Sequence, residues 1–310
     1  SCTSRATTIC MGEPAPRGAT ARWAAAALLV NAFVWGVSWW PFRALQNQGL
    51  HPLWATALVY AFAVLCVMLV RPGAWRAYAA HPALWWLALA SGLTNICFNW
   101  AVTEGDVVRV VLLFYLMPAW AVLLAWPILG EKPQPTALLR LAVALAGVLL
   151  VLKHPDSAWP LPQSLTDYLA LAGGFSFALV NIMLRKLHDT PSEARMIGMF
   201  SGGAFMAALV ALWGGAAGWV PGIPAPQASW VGLALVLALA FLVSNLALQY
   251  GAARLRSSTT ALVMLSEIVF ASASSVLLGA ATLEVRTLWG GGLILLAATW
   301  AAVAEDKTGH

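Results

Sequence analysis

The sequence predicts an all-α integral membrane protein of ten transmembrane helices, arranged as two inverted five-helix repeats. Two observations predict the class: 61% of the 310 residues are hydrophobic and only 9% are charged. A soluble domain of this length does not bury that much apolar surface, and a disordered chain has the opposite composition. A third observation predicts the arrangement, because short motifs recur in the same order in both halves of the chain.

Ten apolar stretches are long enough to cross a bilayer, which takes about 20 largely apolar residues. Short segments with turn-forming proline and glycine separate many of them. The predicted spans are residues 23–42, 53–70, 83–102, 108–129, 137–153, 166–186, 195–214, 229–250, 257–279 and 287–304. No connecting segment is long enough to fold as a soluble domain, so we expect any activity to lie within the membrane bundle.

The predicted domains are a flexible cytoplasmic tail at 1–22, a first repeat at 23–153, a second repeat at 154–304 and a cytoplasmic tail at 305–310. The polar, proline-containing beginning of the chain predicts the first tail, and no cleavable signal is expected before the first apolar run. The sequence leaves open whether residues 1–10 are native, with Met11 as the alternative start.

Lysine and arginine are concentrated on one side of the predicted spans. If the N-terminus is inside, only four of the 17 lie on the outer side, namely Arg43, Arg109, Lys153 and Arg286. Cytoplasmic loops carry the excess of positive charge in membrane proteins. The distribution therefore predicts a multi-pass protein of the inner (plasma) membrane with both termini in the cytoplasm.

The two halves share motifs that predict an internal repeat. Residues 94–101 (TNICFNWA) resemble residues 244–251 (SNLALQYG), since a small hydroxyl residue, Asn, an amide, an aromatic ring and a small residue follow in order. Two further matches pair Trp35 with Phe177 and Leu129-Gly130 with Leu278-Gly279. An odd number of spans in each half places the halves in opposite orientations, as in many transporters.

Glu267 is the one ionisable residue of the ninth predicted span, residues 257–279 (SSTTALVMLSEIVFASASSVLLG). A carboxylate in hydrocarbon is costly unless it faces a polar cavity or a partner, so Glu267 is a candidate site residue. It either binds a substrate ammonium group or carries a coupling proton, and exchange without proton coupling is a third alternative. The competing interpretation is a carboxyl group that only ties two helices together.

Paired amides predict the walls of a central cavity. Asn95 and Asn99 are four residues apart and share a helix face, as do Asn245 and Gln249. Buried amides without partners are costly, so we expect them to face one another or a wet cavity. The competing interpretation is that they are interhelical hydrogen bonds.

Aromatic residues near the amides predict packing surfaces for a small amphiphile such as a neutral amino acid. The predicted surfaces are Trp35, Trp100, Tyr115 and Tyr250. For any single tryptophan, a place in the belt of aromatic residues at membrane interfaces is the better explanation. Pro118 lies in the middle of the fourth span, where it removes a backbone hydrogen bond, and is the predicted hinge.

These features resemble the drug/metabolite transporter superfamily, specifically its ten-helix branch with two EamA domains. The resemblance covers about residues 25–304 and is carried by the two halves, by Trp35-Gly36 and by Pro118…Leu129-Gly130-Glu131. It implies a central cavity and alternating access. The branch includes exporters of amino acids, aromatic ones among them, and of other small metabolites.

The chain departs from the family pattern in its second half. Glu267 is followed by Ile268, where the family often has Glu-Pro, and Ala280 stands after Gly279 where the first half has an acid. Aligning the two Leu-Gly pairs places Pro118 opposite Glu267. Aligning the Asn motifs places Pro118 opposite Ile268 instead, so the sequence leaves two registers open.

Several function classes are disfavoured by what the sequence lacks. Positive charge is scarce within the spans, which disfavours phosphorylated substrates, and the scattered basic residues form no nucleic-acid patch. No Walker motif, zincin motif or metal-ligand spacing of cysteines is present, so no metal or cofactor is predicted.

The predicted function is a secondary transporter that exports small amphipathic metabolites, amino acids above all. Its expected partners are the lipid bilayer and a small-molecule substrate, and its oligomeric state is open. The alternatives are a passive channel and, with less support, an intramembrane enzyme.

Overall fold

The computed structural model describes residues 18–130, 135–153, 161–187, 189–252, 254, 263–281 and 284–308, and within them it is helical without strands. The helices of the first half are α1 (Gly18–Val37), α2 (Trp39–Asn47), α3 (Pro52–Val70), α4 (Ala74–Ala79), α5 (Ala83–Glu104), α6 (Val107–Phe114), α7 (Met117–Leu129) and α8 (Pro135–Leu152). Those of the second half are α9 (Leu165–Lys186), α10 (Ser192–Ala216), α11 (Ala228–Ala252), α12 (Ser266–Leu277) and α13 (Val285–Thr308).

Seven of the described segments are long and apolar enough to cross a membrane: Arg22–Asn47, Pro52–Val70, Val107–Ile128, Pro135–Leu152, Leu165–Lys186, Ser192–Ala216 and Ala228–Gly251. α12 is a shorter apolar helix, and the first residues of its predicted span lie outside the described residues. α5 and α13 overlap the third and tenth predicted spans but are not among the seven. The all-helical membrane class is thus supported, whereas the count of ten spans remains a prediction.

Two helical segments are interrupted at matching places. A turn at Tyr115–Leu116 separates α6 from α7, and a turn at Leu265 precedes α12. Leu116 precedes Gly130, and Leu265 precedes Gly279, by the same 14 residues. Both glycines end their helices with a positive φ, 75° and 68°, which glycine adopts without steric cost.

These breaks favour one of the two sequence registers. The register that aligns the two Leu-Gly endings also aligns the two turns, and it places Pro118 opposite Glu267. Each of these residues is the second residue of the helix that follows the break. The second residue after the break is therefore a proline in the first half and a glutamic acid in the second half.

The halves pack against each other in a reciprocal manner. α1, the first helix of the first half, packs against α11 and α12, while α9, the first long helix of the second half, packs against α5, α6 and α7. α3 packs on α10, and α8 packs on α13. A two-fold relation between the repeats predicts this exchange of contacts. The inverted repeat itself remains a prediction that this packing supports.

Two helix pairs, α5 with α10 and α8 with α13, approach closely enough for their backbones to touch. A Cβ atom built on Gly202 of α10 would lie 2.0 Å from the carbonyl oxygen of Ala88 in α5. Cβ atoms on Gly147 of α8 and Gly290 of α13 would each lie 2.7 Å from the other residue's carbonyl oxygen. Small residues at such positions permit the tight packing on which association of membrane helices depends.

We expect Gly202→Ala to destabilise the protein by about 1–3 kcal/mol, because the added methyl group collides with backbone that cannot rotate away. The measurement is thermal unfolding of the purified protein in detergent. Gly232→Ala in α11 is the matched control, since nothing lies within 4 Å of its Cβ position. Equal unfolding temperatures for the two variants would contradict the close α5–α10 contact.

Candidate functional site

The candidate site lies where the interrupted span of the first half meets α12. The hydroxyl oxygen of Tyr115 lies 2.9 Å from Oε2 of Glu267 and 3.1 Å from the carbonyl oxygen of Met264, so its proton is donated to one of the two. Both side chains are buried, and Glu267 is only 7% exposed. The pair joins the turn between α6 and α7 to the start of α12.

The position of Glu267 in its helix helps to hold a negative charge. It lies in the first turn of α12, where backbone N–H groups have no partner within the helix and the helix dipole is positive. The phenol of Tyr115 adds a second donor. The buried carboxyl group is thus bonded by a side chain of the first half of the chain and lies near the positive end of a helix dipole in the second half.

α1 also packs against this site. A Cβ atom on Gly36 would lie 2.8 Å from the carbonyl oxygen of Glu267, so this position admits only glycine without a shift of the helices. One turn further on, the indole N–H of Trp39 donates to Oγ of Ser274 at 2.9 Å. Gly36 of the Trp35-Gly36 pair noted in the sequence therefore packs directly on the α12 backbone at Glu267.

Asn95 and Asn99 lie at the buried contact between α5 and α3. The hydroxyl group of Tyr60 donates to Oδ1 of Asn95 at 2.9 Å, and Nδ2 of Asn99 donates to Oγ1 of Thr56 at 3.2 Å. Oδ1 of Asn99 is buried without a hydrogen-bond donor. In this conformation the two amides connect helices, and one acceptor remains unsatisfied.

The amides of the second half lie elsewhere. Nε2 of Gln249 donates to Oδ1 of Asn245 at 2.7 Å along α11, and Gln249 is exposed while Asn245 is half-buried. Tyr250 is also exposed and carries the guanidinium of Arg254 over its ring at 3.8 Å. Among the described contacts, none joins the amides of α5 to those of α11, so the structure does not bring the four predicted residues together.

Sequence reasoning missed Asn31, a buried amide in the middle of α1. Its Nδ2 donates to Oγ of Ser244 at 2.6 Å and to the carbonyl oxygen of Ser244 at 2.9 Å, which connects α1 to α11. Its Oδ1 is buried without a donor, like that of Asn99. The signal was available, because Asn31 is a lone amide within an apolar run.

The predicted aromatic residues separate into two groups. Trp35 stacks on Phe241 with a centroid distance of 4.6 Å and contacts Phe98 at 6.2 Å, close to the centre of the bundle. Trp100 instead stacks on Trp219 at 5.7 Å, away from Trp35 and beside the end of α10.

Trp100 also contacts the His51 ring at 5.5 Å, in the segment before α3. Burial lowers the pKa of that imidazole below its ordinary value, and nearby Glu104 offsets part of the shift. Trp100 is therefore part of a cluster at a helix end, whereas Trp35 and Tyr115 line the central contact.

Pro118 is the second residue of α7 and lies just after the turn at 115–116. A proline in the first turn of a helix removes a backbone N–H that has no partner there, so it costs no hydrogen bond. The interruption of this span is thus the turn itself and not a proline kink inside a continuous helix. The role of Pro118 as a hinge remains a prediction.

A buried ion pair joins the two halves at one end of the bundle. Arg109, at the start of α6, places Nε 2.7 Å from Oδ1 and Nη2 2.9 Å from Oδ2 of Asp167, at the start of α9. Nη1 of Arg109 donates to the carbonyl oxygen of Val151 at the end of α8. Asp167 is 2% exposed and also accepts the backbone N–H of Gln163 at 3.1 Å.

An apolar groove of about 420 Å³ lies between α3 and α10 and contains none of the predicted site residues. Its lining includes Trp54 and Phe205 but no charged side chain. The contact between Tyr115 and Glu267 is therefore the better candidate for a site that discriminates between polar substrates.

Comparison with known proteins agrees with this picture. Residues 22–153 match the EamA-like transporter family. An "Uncharacterized transporter YojE" of Bacillus subtilis (strain 168) is 26% identical over 167 residues, which cover 51% of this chain and 53% of that protein. The match thus spans about half the length of this curated relative. A solved crystal structure aligns with 93% of this chain and 99% of its own at a TM-score of 0.57 and 18% identity, which shows a shared fold.

Proposed function

We propose that this chain, which carries an EamA-like transporter domain at residues 22–153, is a secondary transporter of the inner (plasma) membrane. It exports small amphipathic metabolites from the cytoplasm, with amino acids as the expected substrates. Transport proceeds by alternating access between the two halves, around a site at Tyr115 and Glu267.

The observation that carries this proposal is the buried pair of Tyr115 and Glu267 at matching breaks of the two halves. An ionisable group inside a membrane bundle is costly, and such groups mark substrate or ion pathways. Interrupted helices near the middle of the membrane, at the interface of repeats, are where transporters bind substrates and coupling ions. Both features coincide at Glu267.

The buried polar groups of α1, α5 and α12 favour a substrate with an ammonium group and an apolar part. Glu267 offers a negative charge, and Oδ1 of Asn31 and of Asn99 are buried acceptors without donors. An ammonium group brings three donors. Trp35 lies one turn from Asn31 on the same face of α1 and provides an aromatic surface.

The pattern of closure supports a site that is open toward the cytoplasm. In the predicted orientation the ion pair of Arg109 and Asp167 closes the outer ends of α6, α8 and α9. At the opposite end, one face of α11 changes from buried at Ala238 through half-buried at Asn245 to exposed at Gln249. An exporter loads its substrate in such a conformation.

The experiment that tests the function is counterflow in liposomes that contain the purified protein. We expect an internal load of one amino acid to accelerate saturable uptake of the same labelled amino acid. Flux that rises linearly with concentration, without acceleration by an internal load, would instead identify a channel. A chemically altered product would identify an enzyme.

We expect Asn99→Ala to raise the KM for transport roughly tenfold, because loss of one hydrogen bond to the substrate costs about 1–3 kcal/mol. Gln249→Ala should raise it less, since Gln249 already bonds to Asn245. Thr56→Ala is the matched control, because it removes the helical partner of Asn99 and leaves the amide in place. If Asn99→Ala and Gln249→Ala both leave KM unchanged in folded protein, the amides do not bind substrate.

A further inference from the structure

The first long apolar segment of the chain is broken near one of its ends. α1 ends at Val37 and α2 begins at Trp39, although together they form one segment long enough to cross a membrane. Pro41 accounts for the break, because it has no N–H to donate to the carbonyl group of Val37 and its ring crowds that group. The hydroxyl group of Ser38 donates to the carbonyl oxygen of Trp35 at 2.8 Å, a local bond that also favours bending.

Two side chains of α2 connect α12 to the end of α5. The indole N–H of Trp39 donates to Oγ of Ser274 in α12 at 2.9 Å. The guanidinium of Arg43 lies 5.0 Å from the centre of the Trp39 ring. Its Nε donates to the carbonyl oxygen of Thr103 at 2.8 Å, and its Nη2 donates to that of Gly105. The short helix therefore ties the helix that carries the buried acid to α5.

These contacts lie on one side of the pair of Tyr115 and Glu267. Ser274 is seven residues beyond Glu267, which is about 10 Å along α12 at 1.5 Å per residue. Trp39 is only 3% exposed and packs in the same apolar core as Tyr115 and Ala271. In the predicted orientation, with both termini in the cytoplasm, α2 lies between the buried pair and the outer surface.

The bonds of Arg43 differ from those of the outer ion pair. Arg109 bonds the carboxylate of Asp167, whereas the described hydrogen bonds of Arg43 all go to main-chain carbonyl oxygens. Asp106 is close enough to attract Arg43, but it accepts the backbone N–H of Arg109. A cation held by neutral acceptors is released more easily than one bonded to a carboxylate. Such a contact suits a part of the protein that opens and closes.

We propose that α2 is the outer gate of the transport path, closed by Trp39 and Arg43 and joined to α1 by the bend at Pro41. This inference rests on the proposed function, because it assigns the moving part of that transporter. When the gate opens, the bonds of α2 to α12 and to the carbonyl oxygens of α5 break. The buried pair of the candidate site then becomes accessible from the outside.

The test is the reaction of a buried cysteine with a membrane-impermeant maleimide, which requires no substrate. Val111 is 2% exposed and lies one turn from Tyr115 toward the outer end of α6, so Val111→Cys reports on the outer path. The four native cysteines are replaced by alanine, and the protein is labelled in right-side-out membrane vesicles.

We expect Arg43→Ala to accelerate labelling from the outside by about tenfold or more, because hydrogen bonds to a charged group hold the closed state. Gln46→Ala is the matched control in the same helix. It removes an exposed bond to Glu104 and leaves the contacts of Trp39 and Arg43 in place, so its labelling rate should equal that of the unchanged protein.

A second variant keeps the test decisive if Arg43→Ala does not fold. Ser274→Ala removes the acceptor of the Trp39 indole and keeps the arginine, so it should also accelerate labelling from the outside. In inside-out vesicles neither variant should accelerate labelling, whereas a general loss of packing accelerates it from both sides. The proposal is overturned if either folded variant is labelled from the outside no faster than Gln46→Ala, or if labelling rises equally from both sides.

Transport measurements separate this inference from the proposed function. Counterflow without these changes in labelling would contradict the gate alone. The changes in labelling without counterflow would support the gate and contradict the proposed transport of amino acids.

Discussion

Glu267→Gln is expected to reduce kcat/KM for transport by about 10- to 150-fold while the protein remains folded. Glutamine preserves the size of the side chain and can still accept the hydrogen bond from Tyr115. It removes the charge and replaces one acceptor oxygen with an NH2 donor, and a hydrogen bond to a charged group is worth about 1.5–3 kcal/mol. The measurement is initial counterflow rate against substrate concentration in liposomes, with Glu104→Gln, an exposed acid, as control.

The same variant separates the two roles open to Glu267. If the carboxylate binds the substrate ammonium, Glu267→Gln raises KM at every pH. If it carries a coupling proton, the variant loses accumulation driven by a proton gradient and its rate becomes independent of pH, while exchange continues. An unchanged rate together with an unchanged pH profile would remove Glu267 from the mechanism.

Tyr115→Phe extends this prediction to the other half of the pair. The change removes the donor to Glu267 and keeps the ring, so the carboxyl group loses its hydrogen bond from the first half. We expect a smaller loss than for Glu267→Gln, because the charge itself remains. A larger loss would indicate that the hydroxyl group of Tyr115 contacts the substrate directly.

Asp167→Ala is expected to destabilise the protein by about 1.5–3 kcal/mol, the value of a hydrogen bond between charged groups, and this is the second large effect that the structure predicts. The change removes the buried acid of the pair and leaves Arg109, which is 21% exposed, bonded to the carbonyl oxygen of Val151. The measurement is thermal or denaturant-induced unfolding in detergent. The matched control is Glu284→Gln, which breaks an exposed pair with Arg286 and should cost at most about 1 kcal/mol.

The double variant Asp167→Ala/Arg109→Met shows whether the two side chains act as a pair. Removing both charges should recover part of the stability lost in Asp167→Ala, since no guanidinium is then left without its carboxylate. If the destabilisation of the double variant equals the sum for Asp167→Ala and Arg109→Met, each side chain acts through other contacts. Equal costs for Asp167→Ala and Glu284→Gln would contradict the buried pair altogether.

The amino-acid sequence by itself determined the membrane class and the position of the acid. Composition alone excludes a soluble fold, and a carboxyl group in the middle of an apolar span is costly in any arrangement of helices, so Glu267 stands out without a structure. The two Leu-Gly pairs also predicted two similar helix endings. A glycine just after a helix readily adopts the left-handed backbone conformation that ends it.

Only the tertiary structure decided which residues meet. Periodicity shows which residues share a helix face but not which helix that face contacts. The sequence therefore could not predict the hydrogen bond between Asn99 and Thr56. Asn31 bonds to Ser244, which is 213 residues away, and Arg109 bonds to Asp167, which is 58 residues away. Such pairs depend on how α1, α6, α9 and α11 pack, and that packing is the sum of many weak contacts along whole helices. The same holds for Glu267. The free-energy cost of placing its carboxyl group in an apolar helix can be read from the sequence, but its hydrogen bond with Tyr115 depends on how the two halves pack together.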